Sequence, residues 1–338
     1  MAKGLDIGTC FLVGAHQDPT GMSDGTIKSI RDAFISIDDD NPGVRNMLRM
    51  SKAQMIQDGD TIFILGDTAL NIANLLKKEL QRPLSKGIIS PGERDAEKIL
   101  YMLIKEVLGN PSAPGEVVYF SVPAAPIDSS MDVVYHAAIF KSIIENFGYT
   151  AIPMNEAAAV GYAELSDTMF TGICSSMGAG MSNTAVLYQT MIGMEYSISK
   201  GGDFIDEGAA KAVGKTAAQI MSIKERGVNL MDPSEGDPKF FNERRAISVY
   251  YQTLIAANIQ AVKEKFKPGS GGVEISEPIP WVISGGTSKA KGFLELFQAE
   301  FEKVKDFPIE ISEFRKAEDP LSAVAKGLLV AAMNHDEN

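Results

Sequence analysis

Three short glycine-bearing segments lie far apart in this 338-residue chain, and their residue types could grip a polyphosphate. They are Leu5-Asp6-Ile7-Gly8-Thr9-Cys10, Ser176-Met177-Gly178-Ala179-Gly180-Met181-Ser182 and Val282-Ile283-Ser284-Gly285-Gly286-Thr287. A glycine turn between two strands lets successive backbone N–H groups point into one concavity, which suits a phosphate. Two facing turns of this kind would hold a polyphosphate from both sides. Asp6 ends the first strand pattern, where a carboxylate can take a Mg²⁺ ion through water, because hard cations on phosphates prefer oxygen ligands and keep much of their hydration. The third segment leaves a buried strand and enters a helix through Ser288 and Lys289, and its glycines let a flat ligand approach the backbone. Each segment alone is a common hairpin or turn; their order and spacing together carry the signal.

Other candidate chemistry is weaker. Gly178-Ala179-Gly180 begins like a dinucleotide fingerprint, but it lacks the third glycine and runs into strand-like Thr184-Ala185-Val186-Leu187. The stretch from Gly208 to Gly214-Lys215-Thr216 imitates a Walker loop, with a spacing one residue too long and an alanine-rich helical context. His16, His136 and His335 have no Ser or Cys partner motif and are expected at the surface or partly buried. Cys10 and Cys174 form no disulfide framework and no cysteine metal site, and are expected as small buried thiols in strands.

These segments must be positioned by strands and helices. Apolar alternation from Gly4 to Gln17 breaks at Asp18-Pro19-Thr20-Gly21 and Ser23-Asp24-Gly25 and resumes from Thr26 to Ile37, which predicts an antiparallel meander. The same logic recurs at Thr171 to Ser176, Asn183 to Gln189 and Met194 to Ser199, so one unit is expected twice. Between the copies come a polar, irregular region (Asp38 to Gly59), a strand at Thr61 to Leu65, and helices at Asp67 to Leu80 and Glu93 to Leu108. A buried strand at Val117 to Pro123 precedes helices at Ser129 to Phe147 and from near Asn155. After the second copy the spacing predicts one helical stretch from Asp206 to Arg226 and a long helix from Asn242 to about Lys265, broken by Lys267-Pro268-Gly269-Ser270-Gly271-Gly272. A strand at Ile279 to Ile283 and helices around Phe293 to Val304 and Pro320 to Met333 complete the pattern.

At 45% hydrophobic and 22% charged, the chain is long enough for two lobes with separate cores. Its 32 basic and 44 acidic residues give a formal charge of −12, which repels nucleic acid and anionic lipid and leaves any such contact to a local patch or an adaptor protein. No apolar run reaches the length of a signal core or membrane span, and the expected location is the cytoplasm.

The arrangement resembles the actin-like ATPase superfamily of actin, the bacterial MreB, MamK and ParM filaments and the heat-shock chaperone ATPases. Asp6-Ile7-Gly8-Thr9 resembles its first phosphate loop, Gly178-Ala179-Gly180-Met181-Ser182 the second, and Ser284-Gly285-Gly286-Thr287 the adenosine loop. Asn155-Glu156-Ala157-Ala158-Ala159-Val160-Gly161 resembles the first connecting helix, whose acid in the bacterial members helps place the attacking water. Pro320-Leu321-Ser322-Ala323-Val324-Ala325-Lys326-Gly327 resembles the second, and Ile223-Lys224-Glu225 the segment that contacts ribose and base. Arg82-Pro83-Leu84 to Gly87-Ile88-Ile89 and Gly201-Gly202-Asp203-Phe204-Ile205-Asp206 are similar to MreB and MamK signatures.

The resemblance implies a two-lobed α/β fold of duplicated, ribonuclease H-like halves with a nucleotide cleft between them. Residues 1–155 and 325–338 would form domain I, with a small subdomain at about 38–90; residues 156–324 would form domain II, with one at about 227–275. It implies ATP or ADP with Mg²⁺, held by Gly8, Thr9, Cys10, Gly178, Ala179, Gly180, Met181, Ser182, Gly202, Lys224, Glu225, Gly285, Gly286 and Thr287, with Asp6 on the metal and Asp6 and Glu156 catalytic. The family's second loop opens with an aspartate where this chain has Ser176. A hydroxyl binds a hydrated cation more weakly than a carboxylate, so slow hydrolysis is expected. The implied role is a homopolymeric filament whose assembly follows the nucleotide. A non-polymerising regulator or chaperone-like module of the same fold is the alternative, and a sugar kinase lacks an acid to act as base on a substrate hydroxyl.

Overall fold

The computed structural model describes residues 2–18, 25–38, 43, 46, 48, 50, 53–76, 78–90, 93, 95–266, 275 and 277–335. Of the expected breaks, residues 19–24 and 267–274 lie outside the described residues.

The chain opens with the antiparallel meander β1 (Lys3–Ile7), β2 (Phe11–His16) and β3 (Thr26–Arg31). It then leaves that sheet: β4 (Phe34–Asp38), β5 (Met55–Asp58) and β6 (Thr61–Leu65) build a small sheet of order β4-β6-β5, packed by α1 (Gly66–Leu76). A short hairpin, β7 (Leu84–Ser85) and β8 (Ile88–Ile89), precedes α2 (Ala96–Leu108). The chain returns through β9 (Val117–Val122), α3 (Val133–Asn146) and β10 (Thr150–Asn155), which complete a five-stranded sheet of order β10-β9-β1-β2-β3. Helix α4 (Glu156–Glu164) leads to a second meander, β11 (Gly172–Met177), β12 (Ser182–Tyr188) and β13 (Met191–Ile198). Helices α5 (Gly202–Val213), α6 (Ala217–Glu225) and α7 (Phe241–Lys265) follow. Then come β14 (Ile279–Ser284), α8 (Phe293–Phe301), β15 (Ile311–Lys316) and α9 (Ala323–Met333), and the second sheet has the order β13-β12-β11-β14-β15. Both sheets thus follow one plan, a meander whose first strand is extended on its free side by two strands parallel to it.

Each sheet has its own core. Leu5, Ile7 and Leu12 join Ile99 and Leu103 of α2 on one face, while Val13 and Ala15 meet Ala325 and Leu329 of α9 on the other. In the second half Trp281 is buried among Phe297, Phe301, Phe307 and Phe314, and its indole N–H donates to Ser175 Oγ at 2.9 Å. Between the halves α4 and α9 pack on small residues, Ala157, Ala158 and Ala159 against Ala323. The backbones come so close that a Cβ at Gly327 would lie 1.7 Å from Ala159 O. No other residue fits there without moving a helix.

Several expectations need correction. The run from Thr26 to Ile37 is two strands in two sheets, because the chain turns at Asp32-Ala33. The stretch from Asp206 to Arg226 is two helices: Gly214 closes α5 in the left-handed conformation (φ 67°), and Thr216 starts α6 with a reciprocal cap to Gln219. Gly214-Lys215-Thr216 is therefore a helix–helix turn and not a phosphate loop. His136 is neither at the surface nor half-buried but 1% exposed; burial lowers its pKa to about 4, and its Nδ1 accepts from Ile89 N–H at 3.2 Å. Cys174 is buried in β11, whereas Cys10 sits in a turn outside any strand.

Candidate functional site

The three glycine segments line one cavity of about 500 Å³. The two meander turns close alike: Gly8 N–H donates to Phe11 O at 3.1 Å and Gly178 N–H to Met181 O at 3.0 Å. Each closure leaves two amides inside the turn, those of Thr9 and Cys10 and those of Ala179 and Gly180, with no acceptor among the described residues. All four residues line the cavity. In the second turn the carbonyls are tied back, Gly178 O by Gly202 N–H (3.0 Å) and Thr287 Oγ1 (2.8 Å), and Ala179 O by Asp203 N–H (2.8 Å). Because C=O and N–H point oppositely across a trans peptide, anchoring these two carbonyls aims the Ala179 and Gly180 amides the other way. Backbone N–H groups ordinarily find partners, so each turn is a nest whose free amides could take an anion.

Two carboxyls stand beside the nests. Ser121 Oγ accepts from Ile7 N–H at 2.7 Å and donates to Asp6 Oδ1 at 2.9 Å, which fixes Asp6 at the end of β1. Glu156 opens α4, whose start is set by Asn155: its Oδ1 accepts from Ala157 N–H at 2.9 Å and Ala158 N–H at 3.0 Å. Asn183 Nδ2 donates to Glu156 Oε2 at 3.0 Å, and its Oδ1 accepts from Ala124 N–H at 2.9 Å. Burial holds both carboxyls above their ordinary range, and the Asp6 charge adds to the rise at Glu156, while hydrogen bonds from Ser121, Asn183 and Ser176 work against it. Ser176 thus leaves a neutral hydroxyl near Glu156 where an acid would have added a third charge.

The remaining expected residues divide. Met181, Gly202, Gly285, Gly286, Thr287, Lys224 and Glu225 line the cavity. Lys224 is engaged within it, donating to Asp206 Oδ2 at 2.6 Å and Gly202 O at 3.0 Å; burial raises Asp206 to about 6 against that pull. Glu225 pairs with Arg31 Nη1 at 3.4 Å. Ser182 does not line the cavity; its hydroxyl donates to Lys200 O at 2.8 Å. Sequence reasoning missed Ser121, Asn183 and Arg31. The signal for Ser121 was there, a polar residue inside an apolar strand run, whereas Asn183 sits among polar Ser182 and Thr184; Arg31 is told only by its register opposite Phe11, beside the first turn.

A divalent cation fits the donor set. Among the described residues no three or more His, Cys, Asp or Glu side chains cluster as a metal cage, so an ion would rest on Asp6, whose Oδ2 has no protein donor, together with phosphate oxygens and water. That is the habit of Mg²⁺.

Two sheets of one plan with a cleft of glycine turns between them define the actin-like fold, and solved structures agree. The chain resembles a MamK double helical filament (TM-score 0.71, 18% identity, 98% of each chain covered) and MreB5 of Spiroplasma citri bound to AMPPNP (TM-score 0.70, 14% identity, 100% of this chain and 97% of that one). It also resembles the ethanolamine utilization protein EutJ from Carboxydothermus hydrogenoformans (TM-score 0.56, 16% identity, 97% and 88% covered). A search of curated proteins gives no match. The Volactin family model matches residues 1–332, and the chain belongs to that family. Among the described residues no helix is long and apolar enough to cross a membrane.

Proposed function

We propose that this protein binds ATP or ADP with Mg²⁺ in the cleft, hydrolyses ATP slowly, and polymerises into a cytoplasmic filament whose assembly follows the nucleotide. The observation that carries the reading is the pair of nests, with four unsatisfied amides and two carboxyls around one cavity. Thr9, Cys10, Ala179 and Gly180 would take the phosphates and Thr287 with Gly285 and Gly286 the adenosine side. Asp6 would hold the ion through water. When bound, the ion would neutralise phosphate charge and favour the ionised form of both carboxyls. Glu156, oriented by Asn183, would position water and accept its proton, since phosphoryl transfer depends chiefly on positioning and charge. With Ser176 in the second turn, ordering of water on the ion would fall to Asp6 alone.

Residues 1–155 with 325–338, and 156–324, are the proposed lobes, with α4 and α9 as the crossing between them. Self-assembly draws support from an exposed apolar tip on the second half, Tyr188, Met191 and Ile192 beside Met169. Four non-glycine residues there hold left-handed backbone, Met169 (φ 50°) and Phe170 (φ 54°) together with Gln189 (φ 48°) and Thr190 (φ 72°), the latter two forming the two-residue turn between β12 and β13. The likeness of the fold to the MamK filament points the same way. Light scattering at rising protein concentration with ATP and Mg²⁺, read together with phosphate release, tests the proposal. A critical concentration that shifts with nucleotide supports it. Nucleotide-dependent capture of a partner, adaptor or other, without self-assembly would replace the filament with a non-polymerising regulator.

A further inference from the structure

The two signature-like segments, Arg82 to Ile89 and Gly201 to Asp206, meet across the cleft. Arg82 Nη1 donates to both carboxylate oxygens of Asp203, at 2.9 and 3.1 Å, and Nη2 lies 3.3 Å from Met221 Sδ. The arm that carries Arg82 is tied to the first half: Gln81 and Phe34 exchange backbone hydrogen bonds of 2.9 Å, and Gly87 N–H donates to Thr9 Oγ1 at 3.0 Å. The β7–β8 turn also rests on the second nest, where a Cβ at Gly180 would lie 2.3 Å from Gly87 N. Asp203 belongs to the first turn of α5 in the second half, so the Arg82–Asp203 pair bridges the two halves at a partly wet position, with side chains 23% and 27% exposed.

Behind Arg82 lies Asp32, at the turn between β3 and β4. Its side chain is fully buried, and among the described residues no side chain pairs with either carboxylate oxygen; the backbone N–H of Leu84 is the donor that favours its charge. Burial raises its pKa well above the ordinary value, and Arg82 is the charge that opposes the rise most strongly, yet the two do not reach ion-pair contact. A buried carboxyl with no side-chain partner is costly and calls for a function. Here it stands on the same half as a guanidinium that is held by an acid of the other half.

We infer that Arg82 is a two-position clasp: bonded to Asp203 it holds the cleft shut, and when the halves part it swings to Asp32, which waits as its partner in the open cleft. The switch gives each state one satisfied pair, so opening does not leave the guanidinium bare. Asparagine at either acid keeps the volume but cannot balance the charge. The two substitutions should therefore act in opposite directions.

The clasp rests on the nucleotide reading only in the release arm of its test. Release of a fluorescent ATP analogue, chased with ATP, should speed about tenfold in D203N, the scale of one charge-assisted hydrogen bond. It should slow about threefold in D32N, which loses only the more weakly placed open-state pair, and D32N should have no effect in an R82A background. Shifts of the same sign in D32N and D203N, or a D32N effect that survives R82A, would overturn the clasp. Hydrogen–deuterium exchange of residues 82–90 without nucleotide separates the readings: D203N should raise it and D32N lower it whether or not the analogue binds. Unchanged exchange in both variants, with R82K checked for native folding, would refute the clasp while leaving the nucleotide site standing.

Discussion

Asp6 and Ser176 occupy one position in two copies of the same meander. Each is the next-to-last residue of its first strand, paired across the hairpin to Val13 and Asn183 respectively, and each is followed by a turn closed by the same backbone hydrogen bond. The first copy puts a charge there and backs it with a single hydroxyl, Ser121. The second puts a neutral hydroxyl there and moves its polarity to the neighbouring strand, where Asn183 holds Glu156. The duplicated backbone supplies two alike turns, while on the proposed reading the side chains would divide the labour: one turn would carry the acid for the metal, the other would orient the acid for the water. The two turns consequently gather two carboxyls, Asp6 and Glu156, where an acid at position 176 would have made three.

This division can be broken from either side. Glu156→Gln should lower ATP turnover by about a hundredfold or more, the scale of a lost general base, with nucleotide affinity nearly unchanged, as single-turnover phosphate release and equilibrium binding would show. Asp6→Asn should act differently, weakening affinity in Mg²⁺ about tenfold or more but barely changing it in EDTA, because the acid is assigned to the ion. Equal losses with and without Mg²⁺ would return Asp6 to a purely structural role. Ser176→Asp should sharpen the contrast, raising turnover about severalfold by giving the ion a second acid. Turnover that stays level or falls would show that the missing carboxylate is not what limits the reaction.

The smallest effect is on stability against pH. Burial raises the folded pKa of both Asp6 and Glu156, so the folded protein keeps protons that the unfolded chain releases from about pH 4 upward. Their contribution is fully present below that pH and is lost as pH rises through the folded pKa values. Denaturant melts without nucleotide or metal should therefore show stability falling toward neutral pH, and Glu156→Gln should flatten the slope. A wild-type curve without that fall would mean the pair is not held protonated.

Much of this was legible in the letters because glycine turns and connecting helices depend on local chemistry. Asn155 announces α4 as a cap, and the repeat of apolar alternation announces the doubled sheet. What stayed hidden depends on tertiary neighbours. β15, with the sequence Ile-Ser-Glu-Phe-Arg-Lys, is an edge strand whose residues are mostly half or fully exposed, so its apolar content is low even though Phe314 packs on Trp281. β5 is hidden by the same edge polarity. The roles of Arg31 and Arg82 cannot be read locally, since Arg31 reaches Glu225 beyond its near partner Asp67, and Arg82 pairs with Asp203, both acids on the far half of the molecule. Asp32 reads as an ordinary turn acid, and only burial exposes its lack of a side-chain partner.

The central claim is that two glycine turns offer their free amides to one polyphosphate. Ala179→Asp tests it most directly, because it places a negative charge in the second nest, on a half-exposed residue whose backbone φ lies outside the left-handed region. Calorimetric titration with ATP and Mg²⁺ should give one site in the native protein and affinity at least about a hundredfold weaker in the variant, as repulsion inside a shielded nest demands. Absence of binding by the native protein, or equal affinity in the two, would contradict the account.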